Sequence, residues 1–251
     1  MTIVAISNQK GGVGKTTIAF NLAKGLAARG KRVLAIDNDP QGNLTHALLS
    51  DPEVFQADIF SYYKPDATNP EPQPVTENLF LLGANQRLAT VTDLQIDDAL
   101  FGLREGLEGL RNSFDFILID CLPSFGVLQL AALTAADKVL IPVTPANFSV
   151  QGLTTLFDTI TRAQKRFNER LSVVGIILNR VDGRRTTIGD GLVELLRETY
   201  ADLVFDTAIH QSVRVEESYS FNQSVLEYEP KGKVAGQING FIDEFLSRHA
   251  N

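Results

Sequence analysis

Ile3-Val4-Ala5-Ile6-Ser7-Asn8-Gln9-Lys10-Gly11-Gly12-Val13-Gly14-Lys15-Thr16-Thr17 is the stretch from which the fold can be read. An apolar run leads into a glycine-rich turn, and a helical pattern begins near Thr16. Gly11, Gly12 and Gly14 let the backbone turn its N–H groups inward around a polyphosphate, and the following helix offers the positive end of its dipole to the same anion. Lys15 is placed to reach the β- and γ-phosphates, and the Thr16 hydroxyl suits Mg²⁺, a hard cation that prefers oxygen ligands. Strand, Gly-Lys-Thr and helix in this order identify a phosphate-binding loop over Gly11, Gly12, Val13, Gly14, Lys15, Thr16 and Thr17. Gln9 stands where the common loop has glycine, and Lys10 follows it. So short a loop, already crowded with donors, leaves little room for a second ammonium on the same phosphate. Lys10 is therefore expected to serve a neighbouring subunit's nucleotide.

Outward from this loop, two acidic clusters sit at the ends of further apolar runs. Ala35-Ile36-Asp37-Asn38-Asp39-Pro40-Gln41-Gly42-Asn43 is the first. In an open parallel sheet, ligands collect at the carboxyl ends of the strands, so these acids should face the phosphate loop. A carboxylate at Asp39 would hold and polarise the water that attacks a γ-phosphate, while Asp37 would support Mg²⁺ directly or from behind its ligands. The plain alternative is a helix cap followed by a turn. Phe114-Asp115-Phe116-Ile117-Leu118-Ile119-Asp120 is the second cluster, a Walker B strand whose Asp120 would bind Mg²⁺ opposite Thr16. Cys121 reads as a packed small residue, since no neighbour in sequence would lower its pKa. Asn179, ending the run Val173 to Leu178, would either meet a purine edge or satisfy a turn.

Apolar runs at Ile3 to Ile6, Val33 to Ile36, Leu79 to Leu82, Phe116 to Ile119, Lys138 to Val143 and Val173 to Leu178 alternate with helical patterns. The helices are expected over Thr16 to Arg29, Ile96 to Arg111, Val150 to Phe167, Ile188 to Tyr200 and Val234 to Ser247. Continuous apolar runs separated by helices indicate strands buried on both faces. The fold class is α/β, a doubly wound, mostly parallel sheet with helices on both faces, in a single domain spanning residues 1–251. Gly102, Gly106 and Gly109 weaken the second of those helices on propensity. Lys64 to Pro74, with four prolines, reads as an extended surface loop.

Composition narrows the function. The chain of 251 residues has 44% hydrophobic and 21% charged residues, ordinary globular values. No apolar stretch approaches the roughly 18 residues that cross a bilayer, and no secretory leader precedes the first strand, so a cytoplasmic protein is expected. One cysteine and three histidines leave no material for a multi-cysteine metal site. A net charge of −7 excludes a protein that coats nucleic acid over its whole surface, and confines any DNA contact to a local patch.

Lys-Gly-Gly-Val-Gly-Lys-Thr-Thr, followed by Asp-Asn-Asp-Pro-Gln-Gly-Asn, resembles the deviant Walker A box and switch segment of the ParA/MinD family of ATPases. Gln151-Gly152-Leu153, Asp182-Gly183-Arg184 and Ser212-Val213-Arg214-Val215-Glu216-Glu217-Ser218 extend the likeness and point to its short, Soj-like ParA branch. The resemblance implies an ATP- and Mg²⁺-dependent enzyme, with Lys10 crossing to the partner's ATP in an ATP-dependent homodimer. It also gives Asp39 the attacking water and Asn179 the adenine. It further implies nonspecific DNA binding through Arg184 or Arg185, and Arg214, extended by Lys231 and Lys233. A ParB-like activator protein and association with the nucleoid follow from the same likeness. Where the family usually has Asp-x-Pro-Pro, Leu122 replaces the first proline.

Rival readings are a positioning ATPase for a non-DNA cargo, a MinD-like membrane-recruited regulator, and a nucleotide-binding scaffold without turnover. The tail Ile238 to Arg248 has the apolar spacing of a helix packed on a sheet, and its two acids suit anionic lipid poorly, so stable membrane binding is not expected. The first strand starts the chain directly, so an operator-binding helix-turn-helix is not expected either.

Overall fold

The computed structural model describes residues 1–49, 55–64, 68–124, 126–147, 150–182 and 187–249. Its centre is an eight-stranded sheet. In chain order the strands are β1 (Thr2–Ile6), β2 (Val33–Asn38), β3 (Gln73–Pro74), β4 (Leu79–Leu82), β5 (Phe116–Cys121), β6 (Lys138–Val143), β7 (Ser172–Val181) and β8 (Val204–His210). They lie side by side as β3-β4-β2-β5-β1-β6-β7-β8, and every pairing except the edge pair β3–β4 is parallel.

The helices are α1 (Lys15–Ala28), α2 (Asn43–Leu48), α3 (Ile96–Glu108), α4 (Val127–Ala135), α5 (Val150–Arg166), α6 (Thr187–Tyr200), α7 (Val213–Ser220), α8 (Val225–Tyr228) and α9 (Lys233–His249). Side chains of β1 alternate across the sheet, as the two-residue period of a strand requires. Ile3 and Ala5 join a core with α3, α4 and α5 through Leu103, Leu133 and Leu156. Val4 and Ile6 join the opposite core with α1, α2 and α9 through Leu22, Leu44 and Phe241. Both faces of the sheet are therefore covered, as the continuous apolar runs required.

The departures from expectation have local causes. β8 was not anticipated because this edge strand exposes polar residues such as Asp206 and so has no continuous apolar run. α4 was missed for the opposite reason: seven of its nine residues are buried, which erases any amphipathic stripe. The end of the proline-rich segment forms β3, and Pro74 is tolerated there because an edge strand need not donate from every residue. The glycines of α3 are required by packing. A Cβ at Gly102 would stand 2.6 Å from the Tyr63 carbonyl oxygen, and one at Gly106 2.7 Å from that of Tyr62, so the helix lies directly on this backbone. In α9, Val234, Ile238, Phe241, Ile242 and Phe245 are buried, and among the described residues no helix is long and apolar enough to cross a membrane.

Candidate nucleotide site

The phosphate loop joins β1 to α1 at the carboxyl edge of the sheet. Gly14, at φ 87, turns the chain into α1 in the left-handed conformation, which glycine adopts without penalty. No side chain caps the helix start, so its first N–H groups are left for a bound anion to satisfy. That cavity, about 430 Å³, is walled by Gly11, Gly12, Gly14, Lys15, Thr16 and Thr17, and by Asp39 across from them. Lys15 is buried, and its Nζ donates to the Lys10 carbonyl at 3.1 Å. Burial lowers its pKa, against the pull of the Asp120 carboxylate. The Lys10 backbone N–H donates to Asn8 Oδ1 at 3.0 Å, and the residue is not among those walling this cavity.

β2 and β5 are adjacent, with Asp37 opposite Asp120 in register, and β1 places Ile6 beside Asp120 on its other side. The two acids differ in what they hold. Asp37 Oδ2 accepts from the Thr45 N–H and hydroxyl, both at 2.8 Å, and Oδ1 accepts from the Asp39 N–H at 3.2 Å. Thr45 Oγ1 in turn accepts from the Ala84 N–H at 2.9 Å. Burial pushes the Asp37 carboxyl up to about 6. Asp37 thus fixes the start of α2 and orients Asp39. Expected to support Mg²⁺ directly or from behind its ligands, it has both oxygens engaged in hydrogen bonds.

Asp120 is the reverse case. Its two oxygens are buried and make no close hydrogen bond among the described residues; burial, followed by the Asp37 carboxylate, holds its pKa well above the usual range, against the pull of the nearby Thr16 hydroxyl and Lys15 ammonium. A carboxylate with such uncompensated oxygens fits a cation. Thr16, which lines the cavity, supplies the hydroxyl the expected site requires. Asp39 is half-buried on the cavity wall, with Oδ1 accepting from the Gln41 N–H at 3.0 Å. Burial also pushes the Cys121 thiol up, so it remains protonated and packed.

Asn179 is buried behind the loop, where its Nδ2 donates to the Val13 carbonyl at 3.0 Å. It borders a smaller cavity of about 90 Å³, with Ile18, Ile209, Gln211 and Ile238, next to the phosphate chamber. Its amide thus steadies the phosphate loop through one of its N–H groups.

α7 forms the rim that sequence reasoning missed, with Val215, Glu216 and Tyr219 lining the main cavity opposite the loop. The Tyr219 hydroxyl donates to the Asn43 carbonyl at 2.6 Å. Asn222, in the left-handed conformation at φ 54, donates to the carbonyls of His46 at 2.8 Å and Ala47 at 3.2 Å, near the end of α2. The segment Ser212 to Ser218 drew attention for its family likeness and its arginine, not as a wall of the site. Its helical period and the Ser212 cap were the available signals for an element at the site.

Residues 1–173 match the AAA domain family. The sporulation initiation inhibitor protein Soj of Bacillus subtilis (strain 168) is 36% identical over 238 residues, covering 93% of each chain. This chain belongs to the Soj/ParA family of ATPases. The chromosome partitioning protein ParA of Caulobacter vibrioides (strain NA1000 / CB15N) is 37% identical over 255 residues, covering 99% of this chain and 95% of its own. Among solved structures, the cobyrinic acid a,c-diamide synthase of Mycobacterium smegmatis with bound ADP and magnesium superimposes with a TM-score of 0.83. It is 29% identical and covers 100% of this chain and 96% of its own.

For a Soj/ParA member, the remaining expected residues are the basic ones. Arg184 and Arg185 lie outside the described residues. Arg214 is on α7, with Nη1 2.8 Å from Glu217 and Nε 3.8 Å from Glu229. Those carboxylates raise its pKa. Lys231 and Lys233 are exposed at the start of α9, two and four residues beyond Glu229. Arg214 is thus paired with two carboxylates, one of them on Glu229, two residues before Lys231.

Proposed function

We propose that this chain is a Mg²⁺-dependent ATPase of the partition type, which forms ATP-bridged homodimers that bind DNA without sequence preference and act with a ParB-like activator. The observation that carries the reading is a single chamber where the phosphate loop faces Asp39 and lies beside Asp120. Thr16 and Asp120 would hold Mg²⁺, whose contribution is charge compensation on the phosphate oxygens. Lys15 and the loop N–H groups bind the phosphates, and Asp39 holds the attacking water and takes its proton. The water oxygen bonds to the γ-phosphorus as the bond to the β,γ-bridging oxygen breaks, leaving ADP and phosphate. Lys10 serves the partner's nucleotide, so dimerisation is linked to ATP. Asn179 borders the base while steadying the loop. Arg214, Lys231 and Lys233, with Arg184 or Arg185, make the DNA patch. The protein works in the cytoplasm on the nucleoid, and the burial of α9 supports the absence of stable membrane binding.

The test is binding to nonspecific duplex DNA with ATP, ADP or no nucleotide, over a range of salt, alongside sizing, for the native chain and Lys10→Ala. ATP-dependent dimers that bind DNA, both lost in Lys10→Ala, are expected. Dimers without any DNA affinity would sink the partition reading and leave an ATPase with a membrane or protein cargo.

A further inference from the structure

Arg180 follows Asn179 on β7, and none of the expected roles included it. Its flanks are anchored: Asn179 donates to the Val13 carbonyl of the phosphate loop, and the Val181 carbonyl accepts from the Gln211 N–H at 2.9 Å. Between them Arg180 takes φ 54, a left-handed conformation that a side chain with a Cβ adopts only at a cost. Its guanidinium Nη2 lies 3.8 Å from Glu216 Oε1. Both residues line the phosphate chamber and the smaller cavity beside it, so the pair straddles the boundary between the two. Their side chains are 47% and 68% exposed, and an ion pair that long and that wet is too weak to offset a strained backbone. The conformation instead presents a planar, permanently charged fork on the wall of the phosphate chamber, at its boundary with the smaller cavity.

We infer that Arg180 contacts the nucleotide. Its guanidinium leaves the Glu216 carboxylate for the α-phosphate, and Glu216 is the competitor that the nucleotide displaces. The inference rests on the nucleotide-binding reading above and goes beyond it by assigning this pair. Lys15 serves the terminal phosphates, so Arg180 acts equally on ATP and ADP.

The test is a double-mutant cycle read by the fluorescence of N-methylanthraniloyl ATP and ADP, with steady-state turnover in parallel. Arg180→Ala should weaken both nucleotides about tenfold and raise KM while leaving kcat unchanged, the signature of lost uniform binding. Arg180→Gly, which fits the left-handed backbone without strain, should give the same loss and so exclude a folding defect. Glu216→Gln should tighten both nucleotides about two- to fivefold. In the Arg180→Ala background it should do nothing. Unchanged affinity in Arg180→Ala, or equal tightening by Glu216→Gln with and without Arg180, would overturn the assignment while leaving the ATPase reading intact. A native chain that binds neither nucleotide would overturn both.

Discussion

On the β2–β5 side of the chamber, Asp37 is wholly buried and accepts three hydrogen bonds at 2.8 to 3.2 Å. On the β7–α7 side, Arg180 and Glu216 meet at 3.8 Å with side chains 47% and 68% exposed. The first wall fixes the turn that carries Asp39, and positioning is what phosphoryl transfer asks of a protein. The second wall must let a ligand in and out, and a solvent-screened ion pair can be exchanged at little cost. Rigidity and exchangeability are thus allotted to opposite sides of one cavity.

The largest effect should come from emptying the rigid wall of its reactive group. Asp39→Ala is expected to lower turnover by about 10³-fold with nucleotide affinity preserved, measured as phosphate release against fluorescent nucleotide binding. Unchanged turnover would remove Asp39 from the chemistry. Next, Thr45→Ala takes a donor from Asp37 and the acceptor from the Ala84 N–H, which should cost roughly 2 kcal/mol and lower the melting temperature by roughly 4–8 °C. A melting temperature equal to the native value would mean that the wall is not held as described.

The same wall should respond to pH. The Asp37 carboxyl, raised in the fold to about 6 from an ordinary 3.8, binds its proton more tightly folded than unfolded. Its contribution to stability is therefore present at acid pH and lost as the pH rises through about 6. Relative to the native protein, Asp37→Asn should gain stability between pH 4 and pH 7, read from paired thermal melts. A constant difference over that range would contradict the burial argument.

Smaller effects belong to the exchangeable wall. Tyr219→Phe removes one hydrogen bond and should cost about 1 kcal/mol, with faster amide exchange at the start of α2. Exchange confined to α7 would show that the tyrosine does not reach across. Least of all, Arg214→Ala should leave the melting temperature unchanged, since its partners are exposed. It should nonetheless reduce the salt dependence of DNA binding by about 0.9 in slope, and an unaltered slope would take Arg214 out of the patch.

What the sequence disclosed follows the same division. The phosphate loop, Asp39 and Asp120 were legible because backbone-fixed chemistry leaves fixed spacings along the chain. The central strands were legible because burial on both faces demands unbroken apolar runs. Arg180, Glu216 and Tyr219 carried no such signal, since an exposed arginine or glutamate in sequence looks like any solvated residue, and only the fold brings β7 and α7 to one rim. The task of Asp37 was hidden likewise, because its donors on Thr45 lie eight residues on, in a helix too short to show a period. For α3, propensity spoke against the helix, and the close approach of Tyr62 and Tyr63 explains why glycine is needed there.

The caps that Asn222 places on the His46 and Ala47 carbonyls join residues separated by 176 and 175 positions. During synthesis the first wall of the chamber can form early, yet α2 receives these caps only after most of the chain has emerged. Assembly of the switch is thereby deferred until its surroundings exist, so the nascent protein passes through a stage that has its phosphate loop but not the brace that sets α2.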